Sequence, residues 1–202
     1  EWTFHTDRGV YKTTDGGATW AKVLYIDDQT GAIDLVMDPA DPETLYAATW
    51  QRIRRRWSDP NNKTGYAGSG IHKTTDGGRT WRPANEGLPP AEARGRIALD
   101  AARSKPGTLY ALVDNQTRLP KPKPEKPPRI QEAESRRPNL QSGEVYRSDD
   151  HGAHWTKVSP DDRSFAAMYM YADNNWFGWA YTQLRIDPSN DNTVYVLGIG
   201  LL

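Results

Sequence analysis

Two hairpin motifs alternate along this 202-residue chain. Their alternation predicts an all-β protein, a partial β-propeller of about three four-stranded antiparallel blades that does not close a ring. The first motif is a turn, Ser/Thr-x-Asp-x-Gly-x-x-Trp, present at Thr13–Trp20, Thr74–Trp81 and Ser148–Trp155. The second is a pair of short apolar runs around an Asp/Pro-rich turn. No long amphipathic helical pattern competes with them.

Each residue type in the turn motif has a job. An Asp in a tight turn accepts hydrogen bonds from the backbone N–H groups just ahead of it. Gly17, Gly78 and Gly152 stand where a positive φ is needed, which costs glycine little. Asp-Gly between extended runs is a strong hairpin signal. Trp20, Trp81 and Trp155 open the outgoing strand, where the ring folds back to seal the turn. Asp15, Asp76 and Asp150 are therefore expected to build turns and not to act in catalysis.

The second motif runs from Ile33–Pro39 to Thr44–Ala48, from Arg96–Asp100 to Thr108–Leu112, and from Gln183–Pro188 to Thr193–Leu197. Apolar residues at consecutive positions suit strands buried on both faces. Two hairpins make a four-stranded unit that buries its faces only by stacking on its neighbours, which is the propeller solution.

Lysine plus arginine number 26, as do aspartate plus glutamate. No overall field draws the chain to nucleic acid or an anionic membrane. No run approaches the roughly 18 apolar residues of a membrane-spanning helix. Cysteine is absent, which excludes disulfides and thiolate zinc sites. His5, His72, His151 and His154 lack zinc-ligand spacing and no calcium-loop pattern is present, so neither metal nor cofactor is expected. The first residue is Glu1, not Met, so the chain reads as a piece of something longer.

The three turns resemble the Asp box, or bacterial neuraminidase repeat. That repeat is shared by sialidases, xyloglucan-cleaving glycoside hydrolases, sortilin-type receptors and a photosystem assembly factor. The alternation GVYKTTDGGATW…DPADPETLYAATWQR is most similar to bacterial Asp-box, sortilin-like proteins of glycosyl-hydrolase type. Such relatives do different things, so the resemblance speaks to fold more than to chemistry. It implies that the Asp box joins the third and fourth strands of a blade. Residues 9–24 are then the outer half of one blade, 33–83 a second blade, 96–158 a third, and 183–197 the inner half of a fourth, with a Pro-rich insertion at 115–142. The remainder of the propeller is itself an expected partner. The resemblance also implies a secreted or periplasmic location and one of two activities, with a purely structural assembly factor as a third reading. One is a non-enzymatic propeller that binds a glycan or protein. The other is part of a glycoside hydrolase whose catalytic acids lie partly outside these residues. Neither the sialidase arginine signature nor the xyloglucanase motifs are recognisable, so catalytic residues stay unassigned.

With this blade assignment the short turns share one rim. The opposite rim carries three long connections, Trp50–Ser69, Asp114–Gly143 and Ser159–Thr182, and long loops on a rigid scaffold carry function. The first holds four Arg between Trp50 and Trp57. Trp50, Arg54 and Trp57 suit an anionic or ring-bearing ligand, against the alternative of a solvated loop with its arginines paired. The Pro-rich segment reads as extended, either a docking arm or a plain surface loop. In the third loop, Tyr171, Trp176 and Trp179 stand among Asp173, Asn174 and Asn175. They suit sugar stacking, against packing over the channel mouth. Glycoside hydrolysis needs two carboxyl groups roughly 5–9.5 Å apart. Asp27, Asp28, Asp59, Glu92 and Asp173 are the candidates on this rim, and Asp34 sits on an innermost strand. Sequons begin at Asn62 and Asn115.

Overall fold

The computed structural model describes residues 4–52, 67–120, 140–161 and 183–197. Among these residues it contains four antiparallel sheets, each a meander in sequence order. The first is the pair β1 (Val10–Lys12) and β2 (Ala21–Leu24). The second comprises β3 (Thr30–Asp38), β4 (Asp41–Gln51), β5 (Gly70–Thr74) and β6 (Arg82–Pro83). The third comprises β7 (Arg94–Ala101), β8 (Leu109–Arg118), β9 (Leu140–Ser148) and β10 (Thr156–Lys157). The last is the pair β11 (Gln183–Asp187) and β12 (Asn190–Leu197). The one helical element among the described residues is the 3-10 turn Ala91–Ala93. No helix there is long and apolar enough to cross a membrane.

The apolar runs are continuous because the middle sheets are covered on both sides. On β4, Ala47 packs with Val10 and Leu24 of the first sheet. Its neighbours Tyr46 and Ala48 pack the other way, against Ile97 and Leu99 of the third. On β8, Leu109, Ala111 and Val113 face the second sheet, whereas Tyr110 and Leu112 face Leu184 and Ile186 of the fourth. Truncating a fully enclosed residue such as Leu112 to Ala costs about 2–5 kcal/mol. The same alternation explains the exposed apolar residues. Leu35 and Met37 on β3 point to the side where the first sheet has only two strands, and they are 44% and 51% exposed. Tyr195 and Leu197 alternate with Val194 and Val196, which pack on the third sheet, and they are exposed on the far side.

Adjacent blades are also tied through backbone groups. The N–H of Leu99 is fully buried on an edge strand, where no neighbouring strand can accept it. Asp34 Oδ2, on the preceding blade, accepts it at 2.9 Å. One blade on, Asp100 Oδ2 accepts the N–H of Ile186 at 2.8 Å. Asp34 Oδ1 takes its own neighbour, the N–H of Leu35. The position of Asp34 is thereby settled: its carboxylate joins two blades.

The long-loop strands run further than their apolar content indicates. β8 continues past Asp114 to Arg118, and β9 begins at Leu140. The pairs Asn115–Ser142 and Arg118–Leu140 hold this polar extension together across a bulge. A ladder needs backbone groups, not apolar side chains, to continue.

Candidate functional site

The short-turn rim is chemically saturated. In the first repeat, Asp15 Oδ1 accepts the Thr13 hydroxyl at 2.8 Å and the Thr19 N–H at 2.9 Å, while Oδ2 accepts the Thr19 hydroxyl at 2.6 Å. Asp76 repeats this with Thr74 and Thr80. Asp150 does so with Ser148 and His154. The Thr19 hydroxyl and N–H, then Thr13, hold the Asp15 carboxyl well below the ordinary range, and Thr80 and Thr74 do the same for Asp76. Asp150 is held down to about 2, first by the His154 N–H. A carboxylate with its acceptor positions filled and its pKa this low does not exchange protons near neutrality. Gly17, Gly78 and Gly152 adopt φ values of 98°, 93° and 78°. The residue before each is also left-handed, and in the third repeat that residue is His151, at φ 58°. Its carbonyl accepts Tyr46 Oη at 3.1 Å and Lys73 Nζ at 2.9 Å from the preceding blade. Lys12 Nζ makes the matching bond to Gly77 O one blade earlier.

The tryptophans diverge. Trp20 and Trp81 return their indole N–H to Gly17 O and Gly78 O of their own turns, each at 3.2 Å. Trp155 reaches Ala84 O on the preceding blade at 2.9 Å. A cleft of about 400 Å³ also opens on this rim, lined by Met37, Asp38, Pro42, Asp100 and Arg103 among others. Its carboxylates are occupied: Asp38 Oδ1 caps the Ala40 N–H, and Asp100 binds Ala101 and Ile186.

The opposite rim is different. Trp50, near the end of β4, is 4% exposed, with the Arg52 guanidinium 4.9 Å from its ring centroid. Gln51 knits the corner: its N–H donates to Ser69 Oγ, its amide donates to Gln29, and it accepts the N–H of Gly68, each at 3.0 Å. Buried Arg94 opens β7 on the same rim. Across the ladder, Asn115 donates to Glu144 Oε2 at 2.7 Å, as does Tyr146 Oη, and Lys157 Nζ lies 2.9 Å from Oε1. Burial pushes the Glu144 pKa up, but the bonds from Lys157, Asn115 and Tyr146 outweigh it and the net direction is down. The Asn115 amide is thus buried and spoken for, so this sequon is not an open glycan acceptor.

Asp27 Oδ1 caps the Gln29 N–H at 2.8 Å, and Glu92 lies in the 3-10 turn. Arg54, Trp57, Asp59, Asn62, Tyr171, Asp173, Trp176 and Trp179 lie outside the described residues, as does most of the Pro-rich segment. Arg94 and Glu144 escape a reading of the sequence, because a charge beside an apolar run looks the same whether it faces water or a seam. The available signal was Gly143-Glu144-Val145-Tyr146, which puts a carboxylate at an inward strand position.

The stacked meanders define a β-propeller segment. Among solved structures, an ancestral GH74 enzyme matches 90% of this chain with a TM-score of 0.54 and 13% identity. The GH74 xyloglucanase from Xanthomonas campestris matches 98% with a TM-score of 0.41 and 20% identity. The chain spans 18% and 33% of those two proteins. The first likeness is one of fold: that protein is a β-propeller glycoside hydrolase. No family model matches the chain, and no curated protein does.

Proposed function

We propose that the chain is a segment of an extracytoplasmic Asp-box propeller that engages a glycan through its long-loop rim. The observation carrying this reading is the contrast between rims. Carboxylates on the short-turn rim are consumed by turn and inter-blade bonds. On the long-loop rim, the buried Trp50 Nε1 and Arg94 Nε have no hydrogen-bond partner among the described residues. Arg54, Trp57, Tyr171, Trp176 and Trp179 are the proposed contacts, with aromatic faces for sugar rings and polar groups for hydroxyls, and Trp50, buried under Arg52, supports the rim rather than offering a face.

A second reading is that the full protein is a glycoside hydrolase, favoured by the fold likeness to the ancestral GH74 enzyme. A screen of the full-length protein against xyloglucan, other polysaccharides and aryl-glycosides separates the two. Binding without product release supports the first. Release abolished by a single long-loop Asp→Asn change supports the second. Protein capture with no sugar binding would defeat both.

A further inference from the structure

We propose that the third Asp box is an acid-strengthened latch between the second and third blades, in which His151 and His154 each reach a carboxylate of the second blade. The latch lies on the short-turn rim and does not depend on what the opposite rim binds.

His151 is the one residue other than glycine with a positive φ among the described residues. Gly16 and Gly77 hold the same position in the other two repeats, at φ 71° and 68°. A side chain there is strained, and such strain persists only where surrounding contacts hold it. Those contacts cross the seam. His151 Nδ1 lies 3.4 Å from Oδ2 of Asp38, which is 4% exposed at the end of β3. The other oxygen of Asp38 caps Ala40. The ring rests on Gly107, where a Cβ would stand 2.7 Å from Nε2.

His154 stands where the other repeats have Thr19 and Thr80. Its Nδ1 takes over the threonine's bond to the turn aspartate, at 2.6 Å from Asp150 Oδ2. Nε2, on the far side of the ring, is then left to face Glu86 Oε1 at 3.5 Å. A threonine hydroxyl has no second polar atom to use in this way. Glu86 follows β6, and its carbonyl already accepts the backbone N–H of Trp155.

The surroundings favour an added proton. Asp38, Glu86 and Asp150 face the two rings. Burial, then Asp38, Asp41 and Asp150, raise the pKa of the Tyr46 hydroxyl in the same seam. The opposing cation is Lys73, whose Nζ is 2.9 Å from the His151 carbonyl. An imidazole gains its charge in the mildly acidic range, where a carboxylate still carries one. Both contacts therefore become ion pairs as pH falls from 8 toward 5. For His154 the bond to Asp150, then the charge of Glu86, raise the pKa above 6.5. Its contribution is complete below that value and is lost as pH rises through the folded one. His72 lies directly opposite Ala47 and faces the other seam. At that seam the turn has Gly77 and Thr80 in the two histidine positions, with Lys12 on the Gly77 carbonyl, so the turn carries no imidazole.

Amide exchange of the full-length protein at pH 5 and pH 8, expressed as protection factors, tests the latch at the Trp155 N–H, whose bond to Glu86 O crosses the seam. Leu112, which packs on the fourth sheet, is the internal reference. Trp155 protection relative to Leu112 is expected to be about threefold or more higher at pH 5 than at pH 8. His151→Gly combined with His154→Thr restores the residue types of the second repeat and should remove that gain. Asp38→Asn combined with Glu86→Gln keeps both histidines and should remove it as well. Equal relative protection at the two pH values in the parent overturns the latch, even if a variant does not fold. A gain that survives in either double variant overturns it too, as does lower protection at pH 5, which would give the seam the opposite sign.

Discussion

The indole N–H of Trp155 donates to the carbonyl of Ala84 at 2.9 Å, so this tryptophan bonds to the blade before its own. The backbone reinforces the link, with the Trp155 N–H given to Glu86 O at 2.8 Å. Gly87 completes the fit: at φ 89° it brings its α-carbon so close that a Cβ would stand 2.0 Å from Trp155 O. The ring is 3% exposed, against 60% for Trp20. One sequence motif therefore does two energetic jobs. Trp155→Ala should cost about 3–5 kcal/mol, from the cavity and an orphaned carbonyl. Trp20→Ala should stay within about 0.5 kcal/mol. Urea unfolding midpoints measure both, and equal effects would show that blade stacking does not set the difference.

Asp34 gives a second, local prediction. Asp34→Ala leaves the buried N–H of Leu99 without an acceptor, at a cost of about 1–3 kcal/mol. Amide exchange at Leu99 should accelerate more than at Leu112, which packs on the opposite seam. Unchanged exchange at Leu99 would mean that water or a shifted strand replaces the carboxylate.

The architecture was readable because its signals are local and repeated. Apolar residues at consecutive positions mark strands covered twice, and Asp-x-Gly marks the turn whose bonds Thr13 and Thr74 complete. The rim chemistry was less readable. In sequence Trp50 is one of several aromatics beside arginines, yet whether a ring is a platform or a buried donor depends on the parity of β4 relative to the next blade. Arg94 and Glu144 depend on the bulge between Arg94 and Ile97 and on the ladder between β8 and β9. Those registers join residues distant in sequence, and no single stretch of chain announces them.

His154 replaces the threonine of the other two repeats and makes the third turn sensitive to pH. The Asp150 carboxylate, 2.6 Å from Nδ1, and beyond it Glu86, raise the His154 pKa above the ordinary 6.5. A raised pKa in the folded state contributes stability that is fully present below the unfolded value and is lost as pH rises through the folded one. His72 opposes it: burial, then the charge of Arg94, lowers its pKa, so its contribution is present above 6.5 and is lost on acidification. His154→Thr should therefore leave the turn intact at pH 8 and make the loss of melting temperature toward pH 5 steeper than in the parent. A shallower loss would reverse the sign assigned to His154.

The buried pair of Glu144 and Lys157 makes the last prediction, and a double-mutant cycle isolates it. Lys157→Met removes the cation 2.9 Å from Glu144 Oε1 and leaves a 5%-exposed carboxylate held only by Asn115 and Tyr146. Breaking one side of a buried pair costs about 3–5 kcal/mol, and the partly exposed lysine puts this one at the lower end. Glu144→Gln alone keeps an acceptor for Asn115 and Tyr146 and leaves Lys157 its contact with Asp161 at 2.6 Å, so it should cost less than K157M. In the double variant the uncompensated charge is gone, and the loss should fall below that of K157M alone. The Glu144 pKa is lowered on folding, so its contribution holds above the unfolded value and disappears as pH falls through the folded one. E144Q should accordingly flatten the acid limb of the stability curve. Strict additivity in the cycle, with an acid limb unchanged by E144Q, would show that the pair is solvated and that β9 and β10 are held by their ladder alone.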